Sequence, residues 1–487
     1  MASGKRVAIW SILLVIFIAI TTGASVMSGA PSPRLLYLWL LFGLCTSPLI
    51  YAGSYNGKYI ILIAILPLYF VYYGLADFLA LFSGVATAST GVFDEIECAV
   101  LLGGVMLSAG YNVAACRNTS RQRAVLEWQE TTTLLLGMIF WSIGIFSTWY
   151  WQIKLQKNAF TLQDVTAGIG MLITLGRMLQ PLGMILIAYR FARRRSVWLM
   201  AVVVAMLCCE IVLGFAGDSK ELAMRGLIIV LVAQFVVNGK VPKIWFITGA
   251  VVVIMMFPVF QAYRYQVLGI RHEARESAAD HLWKNMQLAI HAVTHPDTLG
   301  SGTGPGFVGR VSLKGNVGAT IERVGNGVKY QNGFTYELFF FGMVPRVFWP
   351  DKPDTSVGQL FNRELHISQF RDVYISPSYL GESYWNFGWA GVVVVMFMIG
   401  ALLGYIGKRC DLTEGVSVTR FLVLALTLYG FGLRFEGGIA LEALVWVRSL
   451  LVVFALHWLF ARKASNVDVR SSDGEERDQL PFENLMH

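Results

Sequence analysis

The sequence predicts an all-α polytopic membrane protein with about twelve transmembrane helices and one large loop on the outer face, and three observations carry that expectation. First, 55% of the 487 residues are apolar, only 14% are charged, and the mean hydropathy is +0.57. A soluble chain of this length does not have this composition. Second, apolar runs of roughly 20 residues, enough to cross a bilayer core, recur along the chain. Third, a polar, Arg- and aromatic-rich block, clearest from Arg264 to Asn386, separates about nine such runs from about three more.

The runs place helices near residues 7–29, 35–52, 58–82, 96–113, 132–152, 165–189, 197–216, 222–238, 243–260, 388–407, 418–433 and 440–461. The first follows Lys5 and Arg6 like a signal peptide, but it is long enough to span and lacks a small-residue cleavage site, so it is expected to stay as a span. With a cytoplasmic N-terminus, the inward loops carry Lys58, Arg117, Arg121, Arg123, Arg190, Arg193, Arg194, Arg195, Lys240, Lys243, Lys408, Arg409, Arg462 and Lys463. That excess of positive charge on one side accounts for most of the net +8 without invoking nucleic acid. Four parts result: an N-terminal bundle over 1–260, an outer loop over 261–387, C-terminal spans over 388–461, and an Asp/Glu/Arg/Ser-rich cytoplasmic tail over 462–487 that is expected to be disordered.

The six cysteines form no CxxC pair and none lies in the large loop, which excludes a disulfide-stapled outer domain and a cysteine zinc site. GSGTGPGFVGR (300–310) has the glycine density of a phosphate loop, but no buried strand precedes it and no helix start follows, so it is read as a tight or flexible turn. His291 and His295 have the i, i+4 spacing of a shared metal, yet no third ligand stands nearby, so no metal or cofactor is expected.

Arginines are more informative. Arg264, Arg346, Arg434 and Arg448 sit at or inside apolar boundaries, where a charge must snorkel, pair, or line a polar cavity. As a group they fit an anion pocket, since guanidinium forks match phosphate oxygens and stay cationic. Pyrophosphate is the expected ligand. The turn GDSKELAMR (217–225) adds Lys220 and Arg225 at an outward helix start, where the helix dipole would favour an anion and where ordinary loop charge explains the residues equally well.

Phe334 to Phe348, broken by Gly342 and Pro345, is too short to span and reads as a re-entrant or interfacial segment near 334–353. In SPSYLGESYWNFGWAG, aromatic residues surround Glu382 just before the tenth span, suited either to stacking on sugar rings or to an interfacial belt.

The order MVPRVFWPDKP, then SPSYLGESYWNFGWAG, then a Gly-containing apolar span resembles the oligosaccharide repeat-unit polymerases, the O-antigen polymerase or Wzy group, over roughly 210–460. That resemblance implies a C-type glycosyltransferase-like architecture in the bacterial inner membrane, with both termini cytoplasmic and the active site facing the periplasm. It implies undecaprenyl-pyrophosphate-linked oligosaccharides as substrates, membrane lipids as partners with a chain-length regulator and a flippase as further candidates, no nucleic acid, and transfer of the growing chain to the non-reducing end of an incoming repeat unit without a nucleotide sugar. Within that frame Arg264, Arg346, Arg434, Lys220, Arg225, Arg323, Lys352 and Arg448 are candidates to stabilise the pyrophosphate, with Arg346 also in a catalytic role. Glu382, then Glu337, then His291, His295 and His366 are candidate bases, and Tyr384, Trp385 and Trp349 candidate sugar platforms. An O-antigen or protein O-glycan ligase and a lipid-linked sugar flippase or transporter are the alternatives.

Overall fold

The computed structural model describes residues 2–28, 33–51, 57–83, 94–116, 126–151, 167–194, 196–216, 220–238, 287, 312–344, 348–349, 351–352, 356–368, 374–410, 417–460 and 462–463. Within these the chain is helical, apart from a pair of two-residue strands in which Leu126 faces Lys463 and Glu127 faces Arg462. Seven helices are long and apolar enough to cross a membrane, or eight if a bent pair counts as one span. The chain is therefore a multi-pass helical membrane protein. The expected span over 243–260 and the tail beyond residue 463 lie outside the described residues.

The N-terminal helices are α1 (Ala2–Ser28), α2 (Pro33–Thr46), the single turn α3 (Pro48–Tyr51), α4 (Ile60–Tyr73) and α5 (Leu75–Ser83). The expected run 58–82 is thus two helices, bent by 50° at Gly74. Next come α6 (Glu95–Cys116), α7 (Glu130–Tyr150), α8 (Ala167–Arg193), α9 (Val197–Ala216) and α10 (Lys220–Asn238). Three shorter helices, α11 (Lys314–Arg323), α12 (Phe334–Met343) and α13 (Val357–Leu365), precede the long α14 (Ser378–Arg409). The chain closes with α15 (Val418–Thr427), a π turn over Leu428–Gly432, and α16 (Ile439–Phe460).

Small residues let these helices approach closely, the usual solution where lipid removes the hydrophobic drive between helices. Helices α6 and α14 run parallel with backbones in contact: a Cβ on Gly400 would overlap the Leu107 carbonyl, and one on Gly404 the Tyr111 carbonyl. Helices α7 and α8 pack antiparallel through Gly137, Gly144, Gly176 and Gly183.

Helix α14 is broken. Phe387 and Gly388 leave helical geometry, with φ +60° at Gly388, so the buried half-helix Ser378–Asn386 stands apart from the long run that follows. The break frees carbonyls, and the loop before α12 takes them: the Gln331 N–H donates to Trp385 O at 3.0 Å and the Asn332 N–H to Asn386 O at 3.1 Å. The Asn386 side chain completes the pin, accepting from the Gly333 N–H and donating to Thr335. The expected tenth span, 388–407, thus coincides with the portion after the break.

Helix α12 descends beside α16. A Cβ on Gly342 would overlap Leu444, and Arg448 donates to the Gly342 carbonyl. Arg448 lies nine residues beyond Ile439, about 13 Å along the helix axis at ~1.5 Å per residue.

Candidate functional site

The site forms where α8, α9, α10, the π turn and α16 converge. Arg225, six residues into α10, donates to Glu210 Oε1 of α9 at 3.2 Å, and Glu210 is fully buried. The Gln180 amide of α8 donates to the same oxygen at 3.1 Å and accepts from the Thr148 hydroxyl of α7 at 2.7 Å. Arg225 also reaches the Tyr429 hydroxyl of the π turn. Arg434, two residues past that turn, donates to Tyr429 at 3.3 Å and to Glu442 Oε2 of α16 at 2.9 Å. A continuous polar line, Thr148–Gln180–Glu210–Arg225–Tyr429–Arg434–Glu442, thus links elements that are otherwise apolar. Buried charge in such a setting is retained only when paired and hydrogen-bonded.

A third guanidinium, on an exposed residue, lies beside this line. Arg177 of α8 lies within electrostatic reach of Arg225 and over the Trp151 ring at 5.2 Å, and among the described residues it forms no ion pair. Glu210 and Glu442 pair with Arg225 and Arg434, and a third carboxylate, Glu436, lies on the turn that carries Arg434. Arg225 lies near the start of α10, and Arg434 lies on the turn before α16.

The half-helix Ser378–Asn386 braces that turn. The Tyr379 N–H donates to Phe435 O at 3.0 Å, and the Tyr379 hydroxyl donates to Phe431 O at 3.0 Å. Glu382 Oε2 accepts the Ile439 N–H at 2.5 Å, satisfying one of the orphan donors at the start of α16. Its carboxyl is fully buried. On α12, burial pushes the Tyr336 phenol up, and the neighbouring Glu382 charge adds to the shift.

Of the arginines and lysines singled out in the sequence, the structure brings Arg225 and Arg434 together. Arg323 instead donates to the Leu365 carbonyl, tying α11 to the end of α13, and Arg448 holds the end of α12. Lys352 donates to Val344 O at 3.0 Å at the surface. Lys220 is the first residue of α10, and its side chain lies outside the described residues. Arg264, Arg346, His291 and His295 also lie outside them.

Glu337 is exposed in the first turn of α12, and His366 ends α13 in a left-handed conformation. Trp385 is fully buried with its ring edge-on to Phe361, and Tyr384 is buried against Trp389. In this conformation both are packing residues with no ring face open to a sugar. Trp349 is 38% exposed beside Phe341.

Sequence reasoning missed Arg177, Gln180, Tyr429 and Glu442. Arg177 had a usable signal, a charge in the middle of the apolar run LITLGRMLQPLG.

A family described as a domain of unknown function, DUF8712, matches residues 99–463. The chain belongs to that family. The matched span includes every residue of the polar line from Thr148 to Glu442, together with the half-helix that braces it. No curated protein and no solved structure matches the chain.

Proposed function

We propose that this DUF8712 member is a polysaccharide polymerase, a lipid-pyrophosphate-dependent glycosyltransferase of the bacterial inner membrane that joins undecaprenyl-pyrophosphate-linked repeat units at the periplasmic face. The observation that carries the reading is the gathering of three guanidinium groups in a membrane bundle: Arg225 and Arg434 are held by Glu210 and Glu442, and Arg177 beside Arg225 has no ion pair among the described residues. The natural complement of that gathering is a polyanion, and a lipid pyrophosphate is such a ligand. The family resemblance of MVPRVFWPDKP and SPSYLGESYWNFGWAG supports the same class.

The chemistry needs few parts. As the anomeric carbon–oxygen bond of the donor breaks, negative charge develops on the departing pyrophosphate, and fixed guanidinium groups stabilise it. Glu210 and Glu442 hold Arg225 and Arg434 in direction before substrate arrives, which removes the cost of ordering them during the reaction. Membrane lipids surround the site, and a chain-length regulator and a flippase of the same pathway are the proposed partners.

The test is transfer by purified protein in vesicles supplied with lipid-linked repeat units and no nucleotide sugar. Wild-type protein forms dimers and longer chains, and Arg434→Ala does not. An absolute requirement for nucleotide sugar overturns the reading. The buried polar line favours a lipid-linked sugar flippase as the second reading. That alternative predicts movement of the labelled lipid across the vesicle without any gain in chain length.

A further inference from the structure

Glu382 was the first candidate for the base that takes the acceptor proton, yet the geometry assigns it another task. A general base must come within hydrogen-bond reach of the hydroxyl it deprotonates. Glu382 is fully buried in the half-helix, and one of its oxygens already accepts the N–H that opens α16. Glu442 and Glu210 are engaged by Arg434 and Arg225.

One carboxylate on the same turn differs from all of these. Glu436 lies two residues after Arg434, on a turn closed by the Gly437 N–H donating to Arg434 O at 2.8 Å. It is exposed and forms no ion pair among the described residues. The Tyr72 and Tyr374 phenols lie within electrostatic reach of it, and Tyr72 also neighbours Arg434. Glu337 is exposed as well, but it stands on α12, and no contact among the described residues links it to the arginines.

Resting on the polymerase reading, we infer that Glu436 is the general base for the acceptor hydroxyl, and that Glu382 is a positioning residue that holds the turn carrying both Arg434 and Glu436. In the step itself the acceptor oxygen forms a bond to the donor anomeric carbon. The bond from that carbon to the pyrophosphate oxygen breaks, the pyrophosphate leaves with the electron pair, and the hydroxyl proton passes to the Glu436 carboxylate. No oxidant, reductant or further reactant is needed.

The two roles separate under amide substitution. A Gln at position 382 still offers an oxygen to the Ile439 N–H, whereas a Gln at 436 cannot accept a proton at neutral pH. Full-length Glu436→Gln, Glu382→Gln, Glu382→Ala and Arg434→Ala proteins are compared in the vesicle transfer assay, with thermal unfolding in detergent as the fold control.

The expected result is a loss of about 100-fold or more for Glu436→Gln with wild-type unfolding, near wild-type transfer for Glu382→Gln, and impaired transfer for Glu382→Ala. Rescue of position 382 by the amide is a readout that a base in that position would not give. Active Glu436→Gln overturns the assignment, as does loss of transfer in Glu382→Gln with an intact fold. If Glu436→Gln is active while Arg434→Ala is dead, only the base assignment falls and the polymerase reading stands. If wild-type protein shows no transfer, the polymerase reading falls and takes the assignment with it.

Discussion

Glu382 and Ile439 are 57 residues apart, yet the Glu382 carboxylate accepts the backbone N–H of Ile439 at 2.5 Å and so caps the last transmembrane helix from within the core. Removing the acceptor takes this partner from a part-buried N–H. Glu382→Ala is expected to cost about 1–3 kcal/mol of stability. Glu382→Gln, which keeps an acceptor oxygen, should cost less, and thermal unfolding in detergent compares the two.

The buried Arg225–Glu210 pair predicts an asymmetry. Glu210→Met strands a guanidinium and is expected to destabilise the protein by about 3–5 kcal/mol, whereas Glu210→Met combined with Arg225→Met should cost less than the single change. Unfolding of the four proteins of this double-mutant cycle measures the coupling.

Close packing of α6 on α14 depends on glycines that leave no space for a side chain. Gly404→Ala would place a Cβ over the Tyr111 carbonyl, so folded yield after extraction in detergent should fall. Gly430→Ala is the matched control. A Cβ there meets nothing within 4 Å, and yield should be unchanged.

The helix break at Gly388 has its own signature. With φ at +60°, alanine there is strained by roughly 1–3 kcal/mol, and the new Cβ would sit 3.3 Å from the Tyr330 ring. Gly388→Ala should loosen the loop that donates to Trp385 and Asn386. Faster tryptic cleavage at the exposed Lys329 is the expected outcome, and an unchanged rate would show that the loop is held by other means.

Much of the bundle was legible because a bilayer demands long apolar runs, and these stand out in any window of the chain. The tenth run, read as starting at residue 388, coincides with the break at Gly388. What precedes it was not legible. SYLGESYWN reads as a polar, aromatic loop, yet residues 330–333 and Phe361 bury it, and such partners are invisible to local periodicity. The same burial explains why Tyr384 and Trp385 resembled a sugar platform, since aromatic composition is shared by belts, platforms and cores.

Pairing was equally hidden. Arg434 stood out at a span boundary, but its bonds to Tyr429 and Glu442 depend on the π turn and the start of α16 meeting in space. Arg323 and Arg448 stood out for the same reason as Arg434, and the structure shows both holding backbone carbonyls. Arg177 was legible in principle, as a charge inside an apolar run.

The central claim is that Arg177, Arg225 and Arg434 receive a lipid-linked pyrophosphate whose sugar chain is then transferred. Chain length of glycan made from purified lipid-linked repeat units, in vesicles without nucleotide sugar, tests it most directly. The account predicts polymer from wild-type protein and little or none from folded Arg177→Ala or Arg434→Ala. Polymer of normal length and amount from both variants would contradict it.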